Sequence, residues 1–227
     1  MKTALFLLLA LCGAGSAALA QDVKGDPAAG AGKAAMCIGC HGIVGYQATF
    51  PEVYKVPMIA GQSSKYVVAA LTAYQKGERK HPTMRGIAVP LSPQDMADLG
   101  AFYEQLGRSA GGSPAPATLA SPVPEALKTR LAACVACHGP NFSAPIDASY
   151  PRLAGQYADY LFAALKAYEI DGNPNLGRSN ALMRGQLLQD AAGKRSTTFT
   201  HAELKQVAAY LASLPGDVRV VPQPHLR

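Results

Sequence analysis

The sequence predicts an all-α protein of two tandem domains joined by a Pro/Gly/Ala-rich linker. Three observations carry this prediction: a duplication, the punctuation between its copies, and helical apolar spacing with cap signals in both. Among the 227 residues, Cys37-Ile-Gly-Cys40-His41-Gly42 recurs as Cys134-Val-Ala-Cys137-His138-Gly139. Pro57-Met-Ile-Ala-Gly-Gln62 recurs as Pro151-Arg-Leu-Ala-Gly-Gln156. The helix-like run from Tyr66 to Tyr74 recurs from Tyr160 to Tyr168, and Met84-Arg-Gly86 recurs as Met183-Arg-Gly185. The offsets are 97, 94, 94 and 99 residues, so four blocks keep one order at nearly one spacing. Residues 109–122 are Gly, Pro, Ser and Ala with little else, which marks a linker between domains at 21–108 and 123–227.

Residues 1–20 read as a secretory signal peptide: Lys2, an apolar run from Ala4 to Leu11, and Ala18-Leu19-Ala20 as the cleavage site before Gln21. The apolar run is short for a membrane span, which takes about 20 residues. An acylated Cys12 is disfavoured by bulky Leu11 before it. Export out of the cytoplasm is the expectation. The mature chain then carries 20 basic and 15 acidic residues, a net of +5 with interspersed signs. That suits acidic partner patches or anionic lipid surfaces. No basic run argues for nucleic acid.

Along the chain, an Ala-rich helix from Pro27 runs into the first Cys-x-x-Cys-His. Ser63 or Ser64 caps a helix reaching Lys76, with Gly77 as its stop, and Tyr66, Val67, Ala70, Leu71 and Tyr74 share one apolar face. Ser92-Pro93-Gln-Asp95 opens another helix, ending near Gly107. In the second half, Pro124 opens the helix into Cys134, another runs from Gln156 to about Glu169, and Thr200-His-Ala-Glu203 is a capping box. No alternating strand pattern of useful length is visible.

Four cysteines remain after the leader, and the histidine directly after each pair argues against a disulfide framework. Cys-x-x-Cys-His is the attachment motif of c-type haem: each sulfur adds to one vinyl group, and the next residue's imidazole meets the iron from one face. A redox dithiol lacks its βαβ context here, and a zinc site would have to straddle the linker. Cys37, Cys40 and His41, and Cys134, Cys137 and His138, are therefore candidate sites for two covalently bound haem c groups, with His41 and His138 on iron.

A methionine on the far side closes such an iron and raises its potential. Met183 is the last methionine of the chain and aligns with Met84, whereas Met58 aligns with Arg152 and Met96 with Leu204, a core role. Met84 and Met183 are the candidate sixth ligands; His81, His201 and His225 have no counterparts in the other half. The Pro57 and Pro151 carbonyls are placed to accept from the proximal histidine rings.

The tandem CxxCHG, the P-x-[IL]-A-G-Q block with its tyrosine helix, and M-R-G before a capped last helix resemble the dihaem cytochromes c4. The resemblance implies two class I cytochrome c domains, His/Met ligation of both irons and a periplasmic location; with both irons six-coordinate no vacant site is expected for catalysis. It implies single-electron transfer from a respiratory donor such as quinol–cytochrome c oxidoreductase to a terminal oxidase or periplasmic reductase, with peripheral membrane association. A fixed subunit of a dehydrogenase or oxidase complex is the alternative. Two departures stand out. The Tyr168–Met183 interval is five residues longer than its counterpart, and the Met183–Thr200 interval nine longer. The second, within 187–199, reads as a tolerated surface loop.

Overall fold

In the computed structural model, residues 23–111, 115–118, 122–191 and 194–222 are described. The leader with Lys2, Cys12 and Ala18 to Ala20, and His225, lie outside them. The carboxylate of Asp26 accepts the Ala28 amide at 2.9 Å and starts α1 (Pro27–Lys33). α2 (Ala35–His41) continues it after Ala34, so the predicted helix is present with a break one turn before the cysteines. Two-residue strands β1 (Gln47–Ala48) and β2 (Tyr54–Lys55) pair across the next loop.

Next comes α3 (Ser64–Lys76), stopped by Gly77 at φ 76°, a left-handed turn that glycine takes without a Cβ clash. β3 (Arg79–Lys80) and α4 (Pro82–Ala88) lead to α5 (Pro93–Ser109), opened by the Ser92/Asp95 capping box. The second half repeats this order as α6 (Glu125–His138), α7 (Ala158–Lys166) with a 3-10 turn at Ala167–Glu169, β4 (Gly177–Arg178) and α8 (Ala181–Leu187). It ends in α9 (His201–Ser213), opened by the Thr200/Glu203 box.

The 187–199 insertion differs from the loop expected of it. It forms a hairpin of β5 (Leu188–Ala191) and β6 (Lys194–Thr197) in antiparallel register, Leu188 opposite Thr197. Its sequence has no apolar alternation because ladder hydrogen bonds, not a buried face, hold it; the Thr198 amide closes it onto the Leu187 carbonyl at 2.9 Å. Among the described residues no helix is long and apolar enough to cross a membrane.

Each half has its own core. Val67, Leu71, Met96, Leu99 and Tyr103 fill the first, and Leu127, Leu131, Phe142, Leu204 and Leu211 the second. Met96 and Leu204 are both buried, as their alignment predicts. In the first half α1 crosses α5 through a polar knot. Asp98, 2% exposed, accepts from the Asp26 amide (2.8 Å), Lys33 Nζ (2.6 Å) and Gln94 Nε2 (2.7 Å). The Asp26 amide, then Lys33 and Gln94, hold its carboxyl below the usual carboxylate range. A carboxyl depressed on folding contributes stability fully above its unfolded value of about 3.9 and loses it as pH falls through the lower folded value. Asp98→Asn is therefore expected to lower the first half's melting temperature at pH 7, with the gap narrowing once the pH is taken below the ordinary carboxylate value of about 3.9. Circular-dichroism melts on either side of that value check this; a gap independent of pH would contradict it.

The halves meet directly. β3 and β4 pair antiparallel, Arg79 opposite Arg178. The Ser63 hydroxyl donates to the Ala148 carbonyl (2.6 Å), and Asp159 accepts from the Lys55 amide (3.0 Å). The linker is tied to the second half where Asp217 accepts from the Ala115 amide at 2.8 Å.

Candidate functional site

One cavity of about 420 Å³ lies between the halves, within the roughly 300–1,000 Å³ usual for cofactor pockets. His41, His138, Met84 and Met183 all line it. Cys37 and Cys40, one turn apart on α2, line it too. Cys134 and Cys137 sit at the same places on α6 but outside the cavity wall: Cys134 packs on the second core and Cys137 is exposed.

Both imidazoles are oriented alike. The His41 Nδ1–H donates to the Pro57 carbonyl at 2.7 Å, and the His138 Nδ1–H to the Pro151 carbonyl at 3.1 Å, the partners their positions predict. Burial pushes both rings below the usual imidazole range against the pull of these carbonyls. A neutral ring with Nδ1–H committed to a carbonyl leaves the other nitrogen as a metal ligand.

Each methionine is the third residue of a seven-residue helix, α4 or α8, and its amide donates to the cap three residues earlier. For Met84 the acceptor is His81 Nδ1 (3.3 Å), for Met183 Asn180 Oδ1 (3.1 Å). His81, a rival ligand by residue type, thus spends one ring nitrogen on holding the methionine helix. His201 sits on the surface against Glu169 at 3.0 Å.

Sequence reasoning missed the groups around the cavity between the two sites. Arg79 and Arg178 are half-buried and line it. Arg79 Nη2 donates to Tyr66 Oη (3.0 Å) and Arg178 Nη2 to Tyr160 Oη (3.2 Å). Each guanidinium also lies over tyrosine rings, Arg79 over Tyr66 and Tyr74, Arg178 over Tyr160 and Tyr168. A signal was present: an arginine stands five residues before both Met84 and Met183. Among the described residues neither forms an ion pair with a carboxylate. Permanently charged groups without a counterion at the wall of an apolar cavity suit a ligand that brings carboxylates of its own. Haem, an apolar disc with two carboxylate arms, fits this donor set.

Gln62 and Gln156, 3% and 4% exposed, bind the backbone of the opposite half. Gln62 Oε1 accepts the Arg152 amide (2.9 Å) and its Nε2 donates to the Arg152 carbonyl (3.0 Å). Gln156 does the same with the Met58 amide (3.0 Å) and carbonyl (2.8 Å).

A family model described as cytochrome c matches residues 128–215. Cytochrome c4 of Pseudomonas aeruginosa is 30% identical over 220 residues, covering 94% of this chain and 98% of that protein. The thiosulfate dehydrogenase electron acceptor of Thiomonas intermedia is 31% identical over 189 residues, covering 81% of this chain and 80% of that protein. The crystal structure of reduced recombinant cytochrome c4 from Pseudomonas stutzeri superposes with a TM-score of 0.56 at 27% identity, over 84% of this chain and 100% of that one. The chain belongs to the dihaem cytochrome c4 family, a two-domain class I cytochrome c fold that carries electrons on two covalently bound haem c groups.

Proposed function

We propose that Cys37 and Cys40 would hold one haem by thioethers, with His41 and Met84 on its iron, and that Cys134, Cys137, His138 and Met183 would hold the other. The domains are 21–108 and 123–227, and the leader 1–20 is removed on export to the periplasm. The observation that carries this reading is the repeated geometry: two imidazoles fixed by proline carbonyls, and two methionines fixed by helix caps, reach one cavity. When bound, each haem iron supplies a one-electron ferric/ferrous couple. The chain's task is to hold that couple rigid: the proline carbonyls fix the histidine rings in one tautomer, the helix caps hold the methionines, and most of the cavity wall is apolar. With a histidine and a methionine assigned to each iron, the chain would offer no open position to a substrate, which supports a relay of electrons over catalysis.

The expected partners are proteins: a respiratory donor such as quinol–cytochrome c oxidoreductase, and a terminal oxidase or periplasmic reductase as acceptor, with peripheral contact to the membrane. The name of the Thiomonas relative, a thiosulfate dehydrogenase electron acceptor, favours a second reading, a dedicated electron-transfer subunit of a dehydrogenase. Gel filtration of native extract separates the two: a free carrier elutes near its own mass, a subunit with its complex.

Mass spectrometry of the denatured protein tests the attachment sites. The mature chain is expected to keep the added mass of two haems, and Cys134→Ala with Cys137→Ala that of one. Retention of both would remove these cysteines from the assignment.

A further inference from the structure

From the hydrogen bonds between the halves we infer that Gln62 and Gln156 are positioning residues, each tuning the proximal histidine of the opposite half. This rests on the axial assignment of His41 and His138 above.

The connection runs through one peptide unit in each case. The Met58 N–H and the Pro57 C=O belong to the same planar amide. Gln156 Oε1 accepts from that N–H at 3.0 Å, and the carbonyl accepts from His41 Nδ1–H at 2.7 Å. In the other half the Arg152 N–H and Pro151 C=O share an amide. Gln62 Oε1 accepts from it at 2.9 Å, and its carbonyl accepts from His138 Nδ1–H at 3.1 Å. Each relay is thus glutamine, amide, histidine ring, and each crosses between the halves.

Two physical effects act along it. Gripping both faces of residue 58 or 152, amide and carbonyl, leaves the proline carbonyl one orientation and so fixes the imidazole plane. A hydrogen bond accepted from an amide N–H also polarises the amide, making its carbonyl a stronger acceptor. A stronger acceptor at Nδ1–H makes the imidazole a more basic ligand, which favours ferric iron. Both glutamines are almost fully buried, so no water competes for these bonds. The backbone N–H of the next residue, Ser63 or Tyr157, shares the same Oε1 at 3.1 Å and holds each glutamine in place.

The test uses the full-length dihaem protein. Gln156→Met and Gln62→Met keep the volume and remove both bonds. Redox titration monitored by proton NMR, with each haem and each proximal ring N–H assigned to its half, reads both sites separately. Gln156→Met is expected to raise the midpoint of the first haem and move the His41 ring N–H signal, leaving the second haem unchanged. Gln62→Met is expected to do the reverse. Gln156→Glu retains the oxygen acceptor, so the first midpoint should stay at or below its original value; this variant reads the relay if Gln156→Met does not assemble. In the two methionine variants a shift confined to the variant's own half, an equal shift of both haems, or no shift overturns the inference, and so does a rise of the first midpoint in Gln156→Glu. Absence of proximal ring signals from the unsubstituted protein overturns the axial assignment itself, and the inference with it.

Discussion

Met183→Ala is expected to remove about half of the weak far-red absorption that ferric haem shows when a thioether is its ligand, and Met84→Ala the other half. On the proposed ligation one iron in each variant would lose its sulfur while the other keeps it, because the two methionines belong to different cores. The open site should bind carbon monoxide in the ferrous state, where the unsubstituted protein should not. Its potential should fall, since thioether ligation favours ferrous iron. The structural cost is separate. A buried methionine truncated to alanine loses about 2–5 kcal/mol, and these partly buried ones belong at the low end. The caps at His81 and Asn180 are untouched, so both short helices should persist. Absorption and carbon monoxide difference spectra of the two variants decide the matter. An undiminished far-red band in both would strike the methionines from the site.

Gly30→Ala is expected to destabilise the first half by about 1–3 kcal/mol, the usual cost of forcing volume into a packed interior. α1 and α5 touch backbone to backbone: a Cβ on Gly30 would stand 2.1 Å from the Asp98 carbonyl oxygen and 2.7 Å from the Phe102 Cβ. Neither neighbour is the far end of a flexible side chain, so one helix must move. For a domain of this size each kcal/mol lowers the melting temperature by about 4–8 °C. The second half has buried Leu127 at the matching offset, so its own transition should stay in place. Calorimetry resolving the two transitions tests this. An unchanged first transition would refute the close crossing.

Much of this molecule was legible in the sequence because its determinants are local. Caps at Ser92 and Thr200, the stop at Gly77, and the cysteine–histidine motifs each act within four residues of themselves. The proline carbonyls were legible too, since a repeat fixes them at similar distances after His41 and His138. The β5/β6 hairpin was not, because its pairing is held by backbone hydrogen bonds that leave no apolar period. Nor was the joint between the halves. Arg79 and Arg178 are ordinary cationic residues in sequence, and their meaning depends on β3 finding β4 about a hundred positions away. One exchange shows how far two copies can diverge under one backbone. Gly45 takes φ 69° in the first half. The matching position in the second holds Phe142, at φ 57° and fully buried, its ring 6.5 Å from Tyr210. Packing there outweighs a conformation that most side chains avoid.

The glutamine contacts have the form of an isologous interface: position 62 meets 152 while 156 meets 58, as in a two-fold homodimer. A tether across such a joint adds no new chemistry to it; it turns an encounter of two molecules into an intramolecular event at high effective concentration. It also frees the two patches from being identical. Where the first copy places Met58, the second places Arg152, whose guanidinium donates to the Gly61 carbonyl and approaches Glu104. Fusion therefore turns a symmetric contact into one with a direction, so the two metal centres need not be equivalent even though the folds around them are.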